Sequence, residues 1–434
     1  LGLAGLALIL GAGVGLTAQT PFPGWAAALP VLGSVALILA GSLGGGPATT
    51  LLSSAPLRGL GLISYSLYLW HWPVIVLLRF WTIDPPTPLQ MALAVLAMLL
   101  LSVLSWKFVE QPFRHPRRGS RGLRYPALWA GAASILAVGA ISAVLVQTQG
   151  LPGRFSAAEQ LLLVEEPKDG SVPCDGNRDW QQIMECPLGA ATGPETFLVW
   201  GDSHGLSLLP GLDPAMARLG RRGIFVGIPG CVTLLGLSRA NAPFPQLCPP
   251  LGQHVLSVLD KNPQIRTVYL VSRWAVYAQG LRFRHAPTAR QTLVIDAESP
   301  APALDENPRA FARALDRTIA ELRRRGLKVV VIEQVPDVGY HVSTAMVMTR
   351  RTRRELELRP SRAEYDAFQG STDALFAPRI ARGEISVVSL ADLLCDAAMC
   401  RVTTRDGLPA YWDDNHLSRR GARELAPELA EVLR

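Results

Sequence analysis

The sequence predicts a mixed fold: about five transmembrane α-helices, then an α/β domain built as three layers around a parallel sheet. Three observations carry that expectation. No Lys, Arg, Asp or Glu precedes Arg58, whereas charged residues are ordinary beyond Pro152, so the low charged fraction of 18% averages over an apolar part and a polar part. Beyond Phe197, short apolar runs alternate with amphipathic stretches, the pattern of parallel strands covered by helices on both faces. All six cysteines, Cys174, Cys186, Cys231, Cys248, Cys395 and Cys400, lie in the polar part as three pairs close in sequence, which points to nearest-neighbour disulfides and an oxidising compartment.

A spanning helix needs ~20 mostly apolar residues. Five stretches qualify: residues 1–17, 26–44, 58–80, 88–109 and 125–147. The first has no Met, no basic leader and no cleavage site, so it does not read as a signal peptide, and the chain is expected to lack its natural beginning. Lys107, Arg114, Arg117, Arg118, Arg121 and Arg124 fall between the fourth and fifth stretches, and the positive-inside rule puts that loop in the cytoplasm. Everything beyond about Leu151 is then outside, which in a bacterium means a chain held in the inner membrane with its C-terminal domain in the periplasm. The net charge of +7 is explained largely by the same basic run, so no nucleic-acid partner is expected. The expected divisions are a membrane part at 1–124, an additional transmembrane helix at 125–148, a connector at 149–195 and the α/β domain at 196–434.

Within the third stretch, His71 stands in Ile63-Ser64-Tyr65-Ser66-Leu67-Tyr68-Leu69-Trp70-His71-Trp72-Pro73. An ionisable residue inside a membrane helix is a functional candidate. An interfacial aromatic belt with one satisfied histidine is the reading favoured by residue type. This segment, together with SWKFVEQPFR at 105–114, resembles the C-terminal end of the acyltransferase-3 family of membrane proteins. The resemblance implies a ten-helix domain that moves acyl groups across a membrane, of which this chain would supply about four helices and then an eleventh. It implies the bilayer and the missing N-terminal acyltransferase-3 helices as partners, and acetyl-CoA as acyl donor of the full-length protein, with no cofactor bound by this chain. The family's intramembrane histidine and arginine signatures belong to earlier helices, so no membrane catalytic residue is carried over.

Gln149-Gly150-Leu151-Pro152-Gly153 ends the fifth helix, and the Cys174/Cys186 pair is expected to tie the connector to the domain. Strands are expected at 196–200, 223–228, 267–272, 328–333 and 385–389, and helices at 205–219, 250–260, 307–326, 361–381 and 417–433. The helix over 307–326 is the clearest, with Phe311, Leu315, Ile319 and Leu322 at three- and four-residue spacing.

The first strand runs into Gly201-Asp202-Ser203, which lifts a hydroxyl to the carboxyl end of a strand beside N–H groups not used by helix bonding. The far end of the chain supplies Asp413 and His416, three residues apart. His416 is a candidate base for Ser203, and Asp413 would orient it. Asp414 is the rival acid, and a helix N-cap is the alternative role of Asp413. This order resembles the SGNH hydrolase superfamily over roughly residues 195–434, with Gly201-Asp202-Ser203 as the nucleophile block and Asp413/His416 as the terminal block. The resemblance implies a flavodoxin-like domain and an oxyanion hole drawn from the Ser203 N–H and from Gly230. The family's third block carries an Asn, but this sequence has Val271-Ser272-Arg273-Trp274, so Arg273 or the Trp274 region would substitute, or two donors suffice. His204 reads as packing or a substrate contact. His254, His285 and His341 read as surface residues, and Tyr365 and Phe368 as core. No CxxC or phosphate loop is present, and no metal is expected.

The two resemblances together imply a membrane-bound O-acyltransferase, an O-acetyltransferase by family habit, acting on an extracytoplasmic bacterial polysaccharide. A carbohydrate acetylesterase and a non-catalytic glycan-binding domain remain open beside it.

Overall fold

The computed structural model describes all residues except 18–19, 21–23, 84–85, 115–123, 165–169, 177–181, 242–246, 285–290 and 355, together with the side chains of 113–114 and 124–128. Most of the basic run read as a cytoplasmic loop, and His285, therefore lie outside the described residues. The chain divides into two compact units, Leu1–Gln160 and Leu161–Arg434.

The first unit is helical: α1 (Gly2–Gly15), α2 (Ala28–Ser42), α3 (Ala55–Thr82), α4 (Pro88–Ser105) and α5 (Arg124–Gln147) are its long elements. Four described helices are long and apolar enough to cross a membrane, Trp25–Ser42, Ala55–Thr82, Pro88–Glu110 and Trp129–Gln147. The first of the five expected stretches is the apolar helix Gly2–Gly15, of 14 residues. A capping box starts α4, where Thr87 accepts from the Gln90 N–H while Gln90 Oε1 accepts from the Thr87 N–H at 2.8 Å. Ser66 in α3 donates to Glu110 Oε2 at 3.1 Å, a bond between distant positions that ties α3 to the π-helical turn Trp106–Glu110. The His71 ring bonds the Tyr68 carbonyl one turn back, so it is locally satisfied.

The second unit is built on a six-stranded sheet. Its strands are β1 (Met184–Gly189), β2 (Glu195–Gly201), β3 (Arg222–Gly227), β5 (Thr267–Val271), β7 (Lys328–Ile332) and β8 (Ser386–Val388), in the order β1-β3-β2-β5-β7-β8. The strands β4 (Ser238–Arg239) and β6 (Val294–Ile295) form a separate ribbon. All five expected strands are present and mutually parallel. The sheet is nevertheless mixed, because β1, inside the stretch read as connector, pairs antiparallel with β3 along the edge. Strand residues alternate between two cores: Leu198 and Trp200 face one, Phe197 and Val199 the other, and all four are buried. Helices α6 (Ser203–Arg218), α7 (Pro249–Lys261), α8 (Trp274–Gln279), α9 (Asn307–Arg324) and α10 (Arg362–Ala381) flank the strands. The expected last helix is two, α11 (Arg419–Glu424) and α12 (Ala426–Val432), broken where Pro427 opens the second.

Without the antiparallel edge, the parallel strands follow the doubly wound order 2-1-3-4-5, whose ligand crevice opens at the carboxyl ends of the first and third strands. Here those are β2 and β5, the strands that end in Gly201 and Val271.

Candidate active site

Ser203 is the first residue of α6, so its backbone N–H has no acceptor within the helix. The turn that delivers it is tight because Gly201 has no side chain: a Cβ there would meet the Phe225 ring at 2.5 Å. Asp202 caps the helix. One carboxylate oxygen accepts from the His204 N–H at 2.8 Å, and the other accepts from the Ser272 hydroxyl at 3.0 Å, the Arg273 N–H at 3.1 Å and the Tyr277 hydroxyl at 3.2 Å. This fully buried carboxylate therefore stitches the end of β2 to the end of β5. Burial pushes its carboxyl pKa up, against the pull of the Arg273 and His204 N–H bonds.

The C-terminal turn brings the partners. Asp413 Oδ1 accepts from the N–H of Asn415 at 2.8 Å and of His416 at 2.7 Å, while Oδ2 lies 2.7 Å from His416 Nδ1. Burial works to raise the Asp413 pKa, but the His416 bonds and charge outweigh it and hold the carboxyl below its ordinary value. With Nδ1–H donated to that carboxylate, His416 presents the Nε2 lone pair, 2.8 Å from Ser203 Oγ. Residues 213 positions apart thus complete a Ser–His–Asp line. Asp413 is not the last helix's N-cap: Ser418 is, accepting from the Gly421 N–H at 3.1 Å. Asp414, the rival acid, accepts from the Asn415 side chain, and its carbonyl accepts from the Val338 N–H at 2.8 Å. Close backbone approach holds the two halves of the line in place, since a Cβ on Gly211 in α6 would meet the Ala422 carbonyl oxygen in α11 at 2.0 Å.

His204 joins the same halves. Its Nε2 is 3.0 Å from Asn415 Oδ1, and its ring centroid is 4.6 Å from that of His416. It is buried, and Nδ1 has no hydrogen-bond partner among the described residues. Burial first, and then the charges of His416 and Arg273, hold its pKa well below the ordinary histidine value. A neutral imidazole donating to Asn415 fits those surroundings.

The oxyanion candidates separate. Gly230 sits after β3 with φ +77°, a left-handed backbone that suits glycine, and its carbonyl accepts from Arg239 at 3.4 Å. Arg273 is committed elsewhere: its N–H serves Asp202, and its guanidinium pairs with the buried Asp337 at 2.9 Å. Trp274 Nε1 donates to the Ile332 carbonyl at 2.8 Å. Of the groups expected to replace the family's Asn, the Arg273 backbone N–H and one guanidinium nitrogen and the Trp274 indole N–H thus have partners in the scaffold. Tyr365 is core, as expected, whereas Phe368 is only half-buried, and His254 bonds Glu185 at 2.8 Å near the surface.

A cleft of about 350 Å³ opens over Ser203 and His416. One wall, Val172, Cys174, Asp175 and Met184, comes from the stretch read as connector, and the other from Leu206, Pro210, Trp412 and Leu417. The Cys174–Cys186 disulfide holds the first wall to β1, and Asp175 forks onto Arg419 at 2.7 and 2.9 Å. Cys231–Cys248 and Cys395–Cys400 form the other two bridges. No cluster fit to hold a metal ion occurs among the described residues. Sequence order pointed to Ser203, Asp413 and His416; the bonds that Asp202 makes to the end of β5, and Asn415 to His204, carried no signal of their own in the sequence.

A family model described as an SGNH domain fused to AT3 domains matches residues 173–431. Among curated proteins, the chain is similar to the "Putative peptidoglycan O-acetyltransferase YrhL" of Bacillus subtilis, 46% identical over 65 residues that cover 15% of this chain and 10% of that one. It is also similar to the O-acetyltransferase OatA of Staphylococcus aureus, 38% identical over 64 residues that cover 14% of this chain and 11% of the relative. The matched stretches thus span about a tenth of these relatives' length. Among solved structures, the Salmonella ser. Paratyphi A lipopolysaccharide acetyltransferase periplasmic domain aligns over 56% of this chain and 84% of its own, at 15% identity and a TM-score of 0.41, too distant to bear on function.

Proposed function

This chain belongs to the family of SGNH domains fused to AT3 domains, and on that premise we propose that it works as a membrane-bound O-acyltransferase, passing an acetyl group to a hydroxyl of an extracytoplasmic bacterial polysaccharide through Ser203, His416 and Asp413. The observation that carries this reading is the unbroken line from Asp413 through His416 to Ser203 Oγ at the mouth of a cleft. The names of the curated relatives support the acetyl group and the transferase class. The four apolar helices support attachment to a membrane, with the inner membrane and a periplasmic second unit following from the positive-inside argument.

In the first half-reaction, Ser203 Oγ attacks the acyl carbonyl carbon while His416 Nε2 takes the hydroxyl proton. Asp413 fixes the ring's tautomer and stabilises the imidazolium. The Ser203 N–H, with Gly230 as the second donor, meets the oxyanion. Collapse expels the donor's leaving group, which takes the proton from His416, and leaves an acetyl ester on Ser203. In the second half, a sugar hydroxyl gives its proton to His416 and attacks the ester carbonyl; the Ser203 oxygen leaves and recovers that proton. Acetyl-CoA is the donor this reading assigns to the full-length protein, upstream of the steps at Ser203.

Incubation of the full chain in detergent with p-nitrophenyl acetate, followed by peptide mass spectrometry, tests the reading. An acetyl adduct on Ser203 that disappears in Ser203→Ala is expected. Turnover that persists in Ser203→Ala at the wild-type rate would remove this serine from the chemistry.

A further inference from the structure

Trp412 lines both the cleft over Ser203 and a second cavity of about 130 Å³, which Val164, His341, Ser343, Tyr411 and Arg420 also line. Among the described residues of Leu161–Arg434, Trp412 is the only aromatic residue with a large exposed surface; at 47% exposure, half of its indole faces solvent. Its centroid lies 6.1 Å from the His416 ring.

The backbone that carries the indole is held: the Trp412 backbone N–H donates to the His416 carbonyl at 3.1 Å, Tyr411 pairs with Leu417 in a β-bridge, and the adjacent Tyr411 side chain is fully buried. A half-exposed indole has only two side-chain torsions to order on contact, and it offers flat apolar area with a polar edge. The charges nearby select the ligand class. Arg419, which also lines the cleft, is neutralised by the bidentate Asp175 contact, both groups being nearly buried. On the cleft side the pair presents donors and acceptors together and no net charge, which suits hydroxyls better than an anion; on the side of the second cavity the Arg420 guanidinium donates to the Val164 carbonyl at 2.9 Å and the Leu161 carbonyl at 3.4 Å. Ser207 on one side of Trp412 and Ser343 on the other add neutral partners.

We infer that Trp412 is a sugar platform: a pyranose ring of a neutral stretch of the acceptor glycan lies on the exposed indole face, and the glycan chain runs from the Ser203 cleft over Trp412 into the second cavity. The inference rests on the acyl-enzyme reading above and adds the place where the acceptor is gripped. A ring seated there holds a neighbouring hydroxyl beside His416, so loss of the platform acts on the competition between sugar and water for the acyl group.

The test uses the full chain in detergent, p-nitrophenyl acetate as donor, and four neutral tetrasaccharides, cello-, chito-, malto- and mannotetraose. Acetylated sugar is measured against free acetate in wild type, Trp412→Ala and Trp412→Phe. The ratio should fall about tenfold or more in Trp412→Ala and by less than about threefold in Trp412→Phe, which keeps an aromatic face and guards against simple loss of fold. An unchanged ratio in Trp412→Ala overturns the platform. So does a wild type that acetylates Ser203 yet passes the group to none of the four sugars, an outcome that leaves the serine chemistry standing. A wild type with no Ser203 adduct removes the ground of both.

Discussion

Leu96 and Leu198 are the same residue type in two helical and sheet settings with opposite fates. Leu96, in α4, is 61% exposed, while Leu198, in β2, has no exposed surface. The contrast extends across the two units: the apolar helices of Leu1–Gln160 turn Leu, Val and Trp side chains outward, whereas the second unit packs them into two cores on either side of its sheet. A helix satisfies its backbone internally, so its side chains can face a hydrocarbon solvent. A strand must find neighbours, and its side chains are then enclosed by whatever covers the sheet. The chemistry-bearing side chains described here belong to the second unit, where burial makes hydrogen bonds position-specific.

Substitutions can break or sharpen that contrast. The largest effect is expected at Ser203, where Ala should reduce acetyl transfer by on the order of 10³-fold or more with no change in the helical content of the first unit. Transfer rate and far-ultraviolet circular dichroism measured together check it. Next, Leu198→Ala should destabilise the second unit by about 2–5 kcal/mol in urea unfolding, since a cavity opens in a closed core. Leu96→Ala, made in detergent, should leave that transition where it is; a comparable loss there would mean that exposure does not separate the units as described. Opening the 12-residue Cys174–Cys186 loop by Cys174→Ser with Cys186→Ser should cost about 3 kcal/mol and loosen one wall of the cleft.

His204→Phe keeps a ring against His416 but leaves Asn415 Oδ1 without its donor, so acylation should slow by about tenfold. A pH dependence goes with it. The unfolded chain binds a proton at His204 near its ordinary pKa, and the folded chain, where that pKa is held well below ordinary, does not. Stability from this group is therefore present above the ordinary histidine range and declines as pH falls through it. Thermal melts between pH 7 and pH 5 should show a shallower acid loss in the variant, about what linkage at one group predicts. A second pH dependence is at Glu333, whose carboxyl is pushed up to about 7, by burial foremost and then by Asp373 and Asp392 against a Ser389 bond. The folded chain holds that proton longer than the unfolded one, so this group's contribution is full at low pH and lost as pH rises toward 7. Glu333→Gln should melt with the wild type near pH 4 and above it near pH 8.

Much of this was readable in the chain itself. Apolar length gave the spans at 26–44, 58–80, 88–109 and 125–147, and short β-rich runs gave the five parallel strands, because these depend on local composition and period. Of the fifteen possible pairings of six cysteines, the structure holds the nearest-neighbour one that was expected. Met184–Gly189 went unread as a strand, since Cys186, Pro187 and Gly189 resemble a turn and its pairing partner lies in another segment. The pairing of Arg273 with Asp337, 64 residues on, has no local signal in the sequence.

The order of the residues by itself determined which side chains could do acyl chemistry: a serine after a strand, and an acid and an imidazole close enough in sequence to share one turn. It determined equally which segments seek lipid. Only the tertiary structure decided that Asn415 and His204 would clasp the two turns together, that the Cys174 segment would wall the cleft, and that Trp412 would stand open beside His416. Those outcomes turn on distances between residues hundreds of positions apart, set by how helices settle on a twisted sheet, and no local pattern encodes them.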